Sequence, residues 1–355
     1  MCFPRKVTYM NKINVTHSCG NYNIYVGENI LADALADVFE DKKYDRIFLV
    51  TDSNVNELWS EHFISELAKC AKELAGRFVF PAGETSKTLE TVSDMYAAFA
   101  GAKLTRGSLV IALGGGVCGD MTGFAAATYL RGVDVMQVPT TLLSQIDSSI
   151  GGKTGVDLAV GKNLVGAFHQ PIAVIADSRF LETLPQRYID DGMGEAIKYG
   201  CIADAELFDG IADRSISRAD MVYRCMKIKA HVVEVDEFES GLRMILNYGH
   251  TLGHAVEKLG GFTRFSHGES VGIGMLYAAR IGAALGYDKS IEARIRASLE
   301  AWSLPTVMDY KKDELLAVVG ADKKRRANEI SFVLLDELGK ATVKKLPLEA
   351  IGELI

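Results

Sequence analysis

In the first half of the chain, short runs of apolar and β-branched residues alternate with longer amphipathic segments. The short runs predict strands at 46–50, 77–80, 108–113, 133–138 and 172–176. The longer segments predict helices near 28–40, 53–75, 86–102 and 117–130. This alternation predicts a Rossmann-like α/β fold, in which helices cover both faces of a parallel sheet. Ligands of such sheets bind beyond the carboxyl ends of the strands.

After about residue 178 the pattern becomes helical. Long stretches with helical periodicity are predicted at 185–201, 215–239, 242–259, 268–286 and 290–301. One strand pair, EISFVLL and KATVKKL, lies near the end and is closed by a turn around Leu338–Gly339. A chain of 355 residues is long for one hydrophobic core. We therefore predict an N-terminal α/β domain over residues 1–180 and a mostly α-helical domain over residues 181–355.

A polar stripe interrupts the apolar pattern of the second half. Its members recur at spacings of three and four residues, and they are Glu239, Arg243, Asn247, His250 and His254. If this segment is one helix, these side chains share one face. Core-facing positions at such spacing are normally apolar, and buried polar groups are costly without partners. The stripe therefore predicts a ligand or metal site.

Three histidines close together favour a metal. His250 and His267 with a carboxylate would form the His₂Glu set of a catalytic zinc site, and Glu195 in GMGEAIKYG is a candidate carboxylate. His250 and His254 could instead both bind the metal, as in an HExxH motif, although the glutamate of that motif is missing. Residue spacing leaves both possibilities open. The further alternative, three ordinary core histidines, is weakened by their closeness.

Glycine-rich turns in the first half predict a dinucleotide site. Gly114, Gly116 and Gly119 satisfy GxGxxG after a strand, and such a turn can bind a pyrophosphate at the N-terminus of a helix. No acidic residue ends the next strand, so Asp52 after the strand RIFLV is the candidate for a ribose hydroxyl. Glu84 and Lys87 in PAGETSK also follow a strand. A tight turn and a capped helix start, without any ligand, are the alternatives.

Residues 138–171 are dense in glycine, hydroxyl groups and lysine. Lys153, Lys162 and Asn163 suit recognition of a phosphate or carboxylate, although a mobile surface loop is the alternative. The GGKT sequence is not a Walker A motif because Asp147 stands where glycine is required. Lys229 interrupts the apolar stripe of a predicted helix, so it either reaches an anion or extends along the surface to solvent.

Composition narrows the range of partners. The net charge of −7, without blocks of like charge, argues against nucleic acid and anionic membranes as partners. No apolar run has the length of a membrane span, and the basic N-terminus lacks the apolar core of a secretory signal. Met1 and Met10 are both candidate start residues. Six scattered cysteines without a CxxC pair predict reduced thiols in a cytoplasmic protein.

Seven segments in order, from about Glu84 to Leu335, resemble the 3-dehydroquinate synthase family of the sugar phosphate cyclases. They are GGGVCGDMTGFAAATYLRG, QVPTTLLSQIDSSIGGKTGVDLAVGKNLVGAFHQP, GMGEAIKYG, KAHVVEVDEFESGLR, LNYGHTLGHAVE, FSHGESVGIGM and DKK. The resemblance implies an NAD-binding α/β domain, a helical domain and an active site in the cleft. It also implies that Glu195, His250 and His267 bind zinc or cobalt, while His254 contacts substrate or relays protons. Cys118 departs from the small apolar residue expected in GGGVxGD.

The resemblance assigns roles to further residues. Those implied to hold substrate or to act in catalysis are Lys153, Asn163, Lys229, Arg243, Asn247 and Lys323 or Lys324, and we add Glu239 from the polar stripe. Arg131 is implied to reach across the interface of a homodimer. Those implied to bind NAD are Asp52, Glu84, Lys87, Gly115, Gly116, Asp120, Thr140, Thr141, Asp147, Lys162, Thr183 and Leu184, and Gly114 joins them from the GxGxxG match.

The implied reaction converts 3-deoxy-D-arabino-heptulosonate 7-phosphate to 3-dehydroquinate and phosphate, a step of the shikimate pathway toward aromatic amino acids. It proceeds by transient oxidation with NAD, phosphate elimination, re-reduction and intramolecular aldol closure. A sibling sugar phosphate cyclase is one alternative, but SSIGGKTGVD and GLRMILN, parts of which we expect it to lose, are intact. An NAD- and metal-dependent polyol dehydrogenase is the other, and it would not need the phosphate-binding lysines.

Overall fold

The computed structural model describes residues 10–40, 42–70, 73–323 and 329–354, without the side chains of 321–323. The chain divides into two compact units. Unit 1 is Met1–Pro185 with Lys229–Glu234, and unit 2 is Gln186–Ile228 with Val235–Ile355. Among the helices described, none combines the length and apolarity needed to cross a membrane.

Unit 1 is built on a seven-stranded sheet in the order β1-β2-β9-β6-β5-β3-β4. Its strands are β1 (Met10–His17), β2 (Gly20–Gly27), β3 (Ile47–Asp52), β4 (Leu74–Phe80), β5 (Leu109–Gly114), β6 (Asp134–Pro139) and β9 (Ala173–Asp177), and a separate hairpin contains β7 (Lys153–Leu158) and β8 (Gly161–Phe168). Neighbouring strands are parallel except β1 and β2. The five strands predicted from apolar runs are all present, and the α/β fold class is confirmed.

Helices cover the sheet of unit 1. They are α1 (Leu31–Glu40), α2 (Ser53–Val55), α3 (Glu61–Leu67), α4 (Leu89–Gly101) and α5 (Gly116–Thr128). Each predicted helix is found, but the one predicted over 53–75 ends at Leu67 because β4 begins at Leu74. Side chains of β3 alternate between two apolar clusters: Ile47 and Leu49 belong to one, Phe48 and Val50 to the other. Both faces are therefore buried, which explains why these strands are continuous apolar runs.

The loop alternative for residues 138–171 is wrong over the hairpin of β7 and β8. Val156 is buried in one of the apolar clusters, and Val165 and Ala167 pack against the same cluster. Thr154 lies against Gly123 of α5, where any larger side chain would overlap it. The hairpin therefore covers α5 as an ordered element.

Unit 2 consists mainly of helices. They are α6 (Gln186–Ala203), α7 (Ala205–Ala212), α8 (Arg218–Val235), α9 (His250–Leu259), α10 (His267–Ala284), α11 (Ser290–Ala301), α12 (Lys312–Lys323) and α13 (Leu348–Leu354), and only the Lys229–Glu234 part of α8 belongs to unit 1. The predicted strand pair is present as β10 (Glu329–Glu337) and β11 (Lys340–Pro347). The sequence pattern did not predict α7, α12 or α13.

The polar stripe is not one helix, and the prediction of a continuous helix over 242–259 is wrong in its first part. A turn of 3-10 helix covers Leu242–Asn247, and α9 begins only at His250. Glu239 and Gly249 have positive φ angles of 61° and 78°, which no α-helix contains. The Asp236 carboxylate holds the first break by accepting backbone N–H groups, among them that of Arg243. Three- and four-residue spacing is the same with or without these breaks, so the spacing alone could not reveal them.

Glycines allow α9 and α10 to pack at backbone distance. A Cβ on Gly274 of α10 would overlap the carbonyl oxygen of Gly249, and one on Gly249 would lie 2.7 Å from the carbonyl oxygen of Val271. Backbone cannot yield as a flexible side chain can, so these contacts fix how α9 lies on α10.

We expect Gly274→Ala to lower the free energy of unfolding by roughly 1–3 kcal/mol, because the methyl group overlaps backbone in a packed core. Gly101→Ala is the matched control, since Gly101 ends a helix with nothing within 4 Å of its Cβ position. That variant should be neutral or slightly stabilising. Urea unfolding followed by circular dichroism measures both. Equal stability of the two variants would contradict the packing described.

Candidate active site

The carboxyl ends of β3 and β5 bring two predicted cofactor residues together. From β3 the chain continues to β4 on one side of the sheet, whereas β5 and β6 lie on the other, so β3 and β5 flank a topological switch point. Asp52 ends β3 and Gly114 ends β5. A Cβ on Gly114 would lie 3.3 Å from Asp52 Oδ2. The ribose candidate and the glycine-rich turn are therefore neighbours.

Asp52 also has the helix-capping role that was the alternative to ligand binding. Its Oδ1 accepts the N–H groups of Asn54 at 2.9 Å and Val55 at 3.1 Å. Burial raises the pKa of this half-buried carboxyl group, against the effect of the two amides. Capping uses Oδ1, while Oδ2 faces the turn at Gly114.

The space above the N-terminus of α5 is shaped by glycines and threonines. A Cβ on Gly115 would lie 3.0 Å from Thr141 Cγ2, and one on Gly116 would lie 3.1 Å from Ser148 Oγ. The Thr140 N–H group donates to the carbonyl of Gly114 at 2.9 Å. Thr140 Oγ1 is buried and has no hydrogen-bond partner in the described part of the chain. Polar groups and a helix N-terminus thus surround this turn, which suits a pyrophosphate. Cys118 is accommodated in the core, where its thiol faces the carbonyl of Val50.

A hydrogen-bond network joins Lys87, Asp120 and Asn163. Lys87 is buried, and its Nζ lies 2.6 Å from Asp120 Oδ2 and 2.7 Å from Asn163 Oδ1. Burial raises the pKa of Asp120, although the ammonium group of Lys87 opposes this effect. Glu84 is exposed at the start of the adjacent turn, where it interacts with Lys87 and Lys162. The structure therefore gathers most of the predicted NAD residues at one edge of the sheet.

Lys229 does not extend to the surface. It is buried, and its Nζ lies 2.7 Å from Asp147 Oδ1 within unit 1. Thr183 accepts a hydrogen bond from Trp59 Nε1 at 2.8 Å, and Leu184 follows it after β9. Lys153 and Arg131 are both exposed, and Arg131 has a left-handed backbone with φ of 67°.

Three helices of unit 2 bring the predicted metal ligands together. Glu195 lies within α6, and His250 and His267 are the first residues of α9 and α10. The His250 Nε2 and His267 Nε2 atoms lie 3.1 and 3.2 Å from Glu195 Oε1. The three donors lie within 4.8 Å of one another. Gly194 packs directly on the backbone of Gly268, so α6 and α10 approach closely enough to pair Glu195 with His267.

Positive charge is concentrated around Glu195, which is fully buried. Lys198, one turn along α6 and equally buried, forms an ion pair with Glu195 Oε2. Burial would raise the pKa of the Glu195 carboxyl, but Lys198 and His250 outweigh burial and hold it well below its usual range. Neither carboxylate oxygen has a well-aligned hydrogen bond among the described residues. Two imidazoles and an ionised carboxylate therefore fit a divalent cation.

Sequence reasoning missed Lys198 and Glu257. Lys198 stands three residues after Glu195, a helical spacing that could have indicated it. Glu257 Oε2 lies 3.6 Å from His267 Nδ1, and His254, Glu257 and His267 form a second group whose donors lie within 4.8 Å. His254 remains close to both other histidines, at 5.3 Å from His250 between ring centroids. His267 therefore belongs to both groups of possible ligands.

The polar stripe lines a cavity although it is not one helix. Glu239, Asn247, His250 and His254 border a cavity of about 430 Å³ within unit 2. Asn247 Nδ2 donates to Glu239 Oε1 at 2.9 Å. Arg243 instead is buried, and its guanidinium donates to the carbonyl of Glu237. Lys324 and the side chain of Lys323 lie outside the described residues.

The chain is similar to known families and proteins over most of its length. The family models described as 3-dehydroquinate synthase N-terminal and C-terminal match residues 77–191 and 192–325. A 3-dehydroquinate synthase of Clostridium acetobutylicum is 42% identical over 334 residues, which cover 92% of this chain and 94% of the relative.

Two solved structures are similar over nearly the whole chain. A 2-deoxy-scyllo-inosose synthase complexed with carbaglucose-6-phosphate, NAD⁺ and Co²⁺ is 25% identical, with a TM-score of 0.84 over 97% of this chain and 99% of that one. The 2-epi-5-epi-valiolone synthase of Streptomyces hygroscopicus, with NAD⁺ and Zn²⁺ bound, is 27% identical. Its TM-score is 0.83 over 94% of this chain and 95% of that one.

The Asp236 turn that carries Arg243 yields a prediction of pH-dependent stability. Burial raises the pKa of Asp236, but the backbone N–H groups of Ser240, Arg243 and Gly241 lower it to about 2. The usual value of an unfolded aspartate is about 4, so the ionised carboxylate stabilises the fold above that pH. This contribution is lost as the pH falls through about 2.

We expect Asp236→Asn to lower the free energy of unfolding by roughly 1–3 kcal/mol at neutral pH, since charge-assisted hydrogen bonds are lost. The difference from wild type should shrink at acidic pH, where wild-type Asp236 is itself becoming protonated. Urea unfolding of both proteins at neutral and acidic pH measures this. A difference that stays constant with pH would show that the carboxylate charge is not the stabilising group.

Proposed function

The chain belongs to the 3-dehydroquinate synthase family, and from this premise we propose that Glu195, His250 and His267 hold the catalytic metal. The protein is a phosphorus–oxygen lyase that converts 3-deoxy-D-arabino-heptulosonate 7-phosphate to 3-dehydroquinate and phosphate. It uses NAD and a divalent metal. The observation that carries the proposal is that ligand atoms of two imidazoles and one ionised carboxylate lie within 4.8 Å of one another.

The donor set suits catalysis because it is incomplete. Three protein ligands leave a coordination position open for substrate, as in catalytic zinc sites. When bound, a divalent metal at this position lowers the pKa of substrate hydroxyl groups and polarises carbonyl oxygen. Lys198 keeps Glu195 ionised and oriented through its ion pair, so the carboxylate is ready as a ligand.

We assign NAD binding to unit 1. The turn of Gly114, Gly115 and Gly116 leaves room for the pyrophosphate at the N-terminus of α5, and Asp52 Oδ2 faces the same turn and takes a ribose hydroxyl. NAD bound there would supply reversible hydride transfer to and from the substrate. The remaining contacts are assigned to Glu84, Lys87, Asp120, Thr140, Thr141, Asp147, Lys162, Thr183 and Leu184.

Cationic and amide side chains hold the anionic substrate. We assign the phosphate and carboxylate to Lys153, Asn163, Lys229 and Arg243, and hydroxyl groups to Asn247. The buried Lys229 ammonium group is fixed by Asp147, so little ordering is needed when an anion arrives. Lys323 or Lys324 is assigned to the same set.

His254 is assigned to proton transfer. Desolvation and the neighbouring imidazoles of His250 and His267 lower its pKa, so the ring is neutral at pH 7. A neutral imidazole can both accept and donate a proton, and His254 borders the cavity beside the metal cluster. Glu239, which accepts a hydrogen bond from Asn247, also borders this cavity and can take a proton.

We further propose a homodimer in which Arg131 reaches the partner's site. Exposed apolar side chains support an interface, since Val160, Leu164 and Phe168 of the hairpin region are 84%, 60% and 47% exposed. A cytoplasmic location is also proposed, supported by the five cysteines of the described residues, which form no disulfide bond there. We retain residues 1–180 and 181–355 as the functional domains for NAD and for metal and substrate.

We expect the purified protein with NAD⁺ and zinc or cobalt to release phosphate from the heptulosonate phosphate without a lasting rise in NADH absorbance. The reason is that each hydride taken from substrate is returned within the same turnover. A phosphate-release assay run beside absorbance spectroscopy measures both quantities, and omission of substrate is the control. Steady NADH formation in proportion to substrate would instead indicate a polyol dehydrogenase.

His250→Ala and His254→Ala form a matched pair of variants on one helix. We expect the first to lose bound metal, because it removes one of three ligands. The second should retain metal while kcat falls by about 10²–10⁴, the usual contribution of an acid–base group. Metal content by mass spectrometry and phosphate release measure the two effects. Equal metal loss in both variants would overturn the ligand assignment.

A further inference from the structure

Asp157 contacts the hydrogen-bond network of Lys87, Asp120 and Asn163 in unit 1, and the proposed function gives it no role. It lies in β7, between Val156, which pairs with Val165, and Leu158, which pairs with Gly161. The register therefore shifts at Asp157, and the opposite strand carries extra residues at this bulge. Bulges of this kind commonly redirect side chains beside active sites.

The backbone N–H group and the side-chain carboxylate of Asp157 contact two different segments. Its N–H group donates to the backbone carbonyl of Lys87 at 2.9 Å. Its Oδ1 accepts the backbone N–H group of Asn163 at 2.7 Å. Asp157 thus connects the turn that carries Lys87 with the bulge that carries Asn163.

Asn163 is held in an uncommon conformation by this contact. Its φ angle is 55°, in the left-handed region that costs most L-residues energy and that asparagine tolerates better. Its side-chain Oδ1 accepts from Lys87 Nζ at 2.7 Å, and the same Nζ lies 2.6 Å from Asp120 Oδ2. The backbone conformation therefore decides where the amide group meets the ammonium group.

We propose that Asp157 is a positioning residue that sets Asn163 and Lys87 for binding of substrate and NAD. The inference rests on the proposed function, in which Lys87 contacts NAD and Asn163 contacts substrate. Without the Asp157 carboxylate, Asn163 N–H loses its acceptor and the left-handed conformation loses its support. The Asn163 amide then leaves Lys87, so binding weakens at both residues while the reacting groups stay unchanged.

The test compares Asp157→Ala with Thr154→Val, a matched control on the same strand. Thr154 Oγ1 donates to the carbonyl of Ala167 across the hairpin at 2.7 Å, so its loss weakens the hairpin without involving Asn163. We expect Asp157→Ala to raise KM for the heptulosonate phosphate and Kd for NAD⁺ by about tenfold or more, the range for a charge-assisted hydrogen bond. The kcat value should change little. Thr154→Val should alter KM and Kd less than about twofold. The urea midpoints of the two variants are measured as well, so that their losses of stability can be compared.

A double-mutant cycle separates positioning from general stabilisation. If Asp157 acts through Asn163, then Asp157→Ala in an Asn163→Ala background should change KM by less than about twofold. Asp157→Asn keeps an acceptor oxygen and should lie between wild type and Asp157→Ala, which also provides a readout if the alanine variant does not fold. An undiminished effect in the Asn163→Ala background would overturn the inference, as would equal effects of Asp157→Ala and Thr154→Val. Wild-type protein that releases no phosphate would instead contradict the proposed function.

Discussion

The ionised carboxylate of Glu195, fully buried within unit 2, must be compensated by positive charge. Burying such a group without a partner costs on the order of several kcal/mol. Lys198 supplies part of the compensation, and His250 and His267 supply nitrogen atoms on the other side. Because Gly194 packs on the backbone of Gly268, α6 and α10 come close enough for this pairing. The helical packing of unit 2 and the metal site proposed there therefore both involve this one charge.

In unit 1, backbone amides and charged side chains lie together at one edge of the sheet. Parallel strands place Asp52 and Gly114 side by side at the switch point. The buried Lys87 then links α5 to the β7–β8 hairpin through Asp120 and Asn163. Each of these groups already has a partner, so the site is organised by the fold before any ligand binds.

Sequence patterns predicted the strands that are buried on both faces. They failed where the local backbone conformation determines the structure. The strands RIFLV and SLVIAL were predictable because both faces are buried. The hairpin of β7 and β8 was not, since its polar and glycine-rich strands carry no clear alternation. The break at Gly249 was invisible because polar spacing is unchanged by it, and Glu257 gave no signal distinct from a solvated helix face. The ligand candidates came from residue type and resemblance, whereas their convergence required the folded chain.

In the proposed metal centre, Glu195, His250 and His267 bind the metal and His254 does not. Crystals of the zinc-loaded protein, measured at the zinc absorption edge, test this directly through anomalous difference density. The account predicts one strong peak at about 2.0–2.2 Å from His250 Nε2, His267 Nε2 and a Glu195 oxygen. A peak bound instead by His254 and Glu257, with Glu195 left to Lys198 alone, would contradict it.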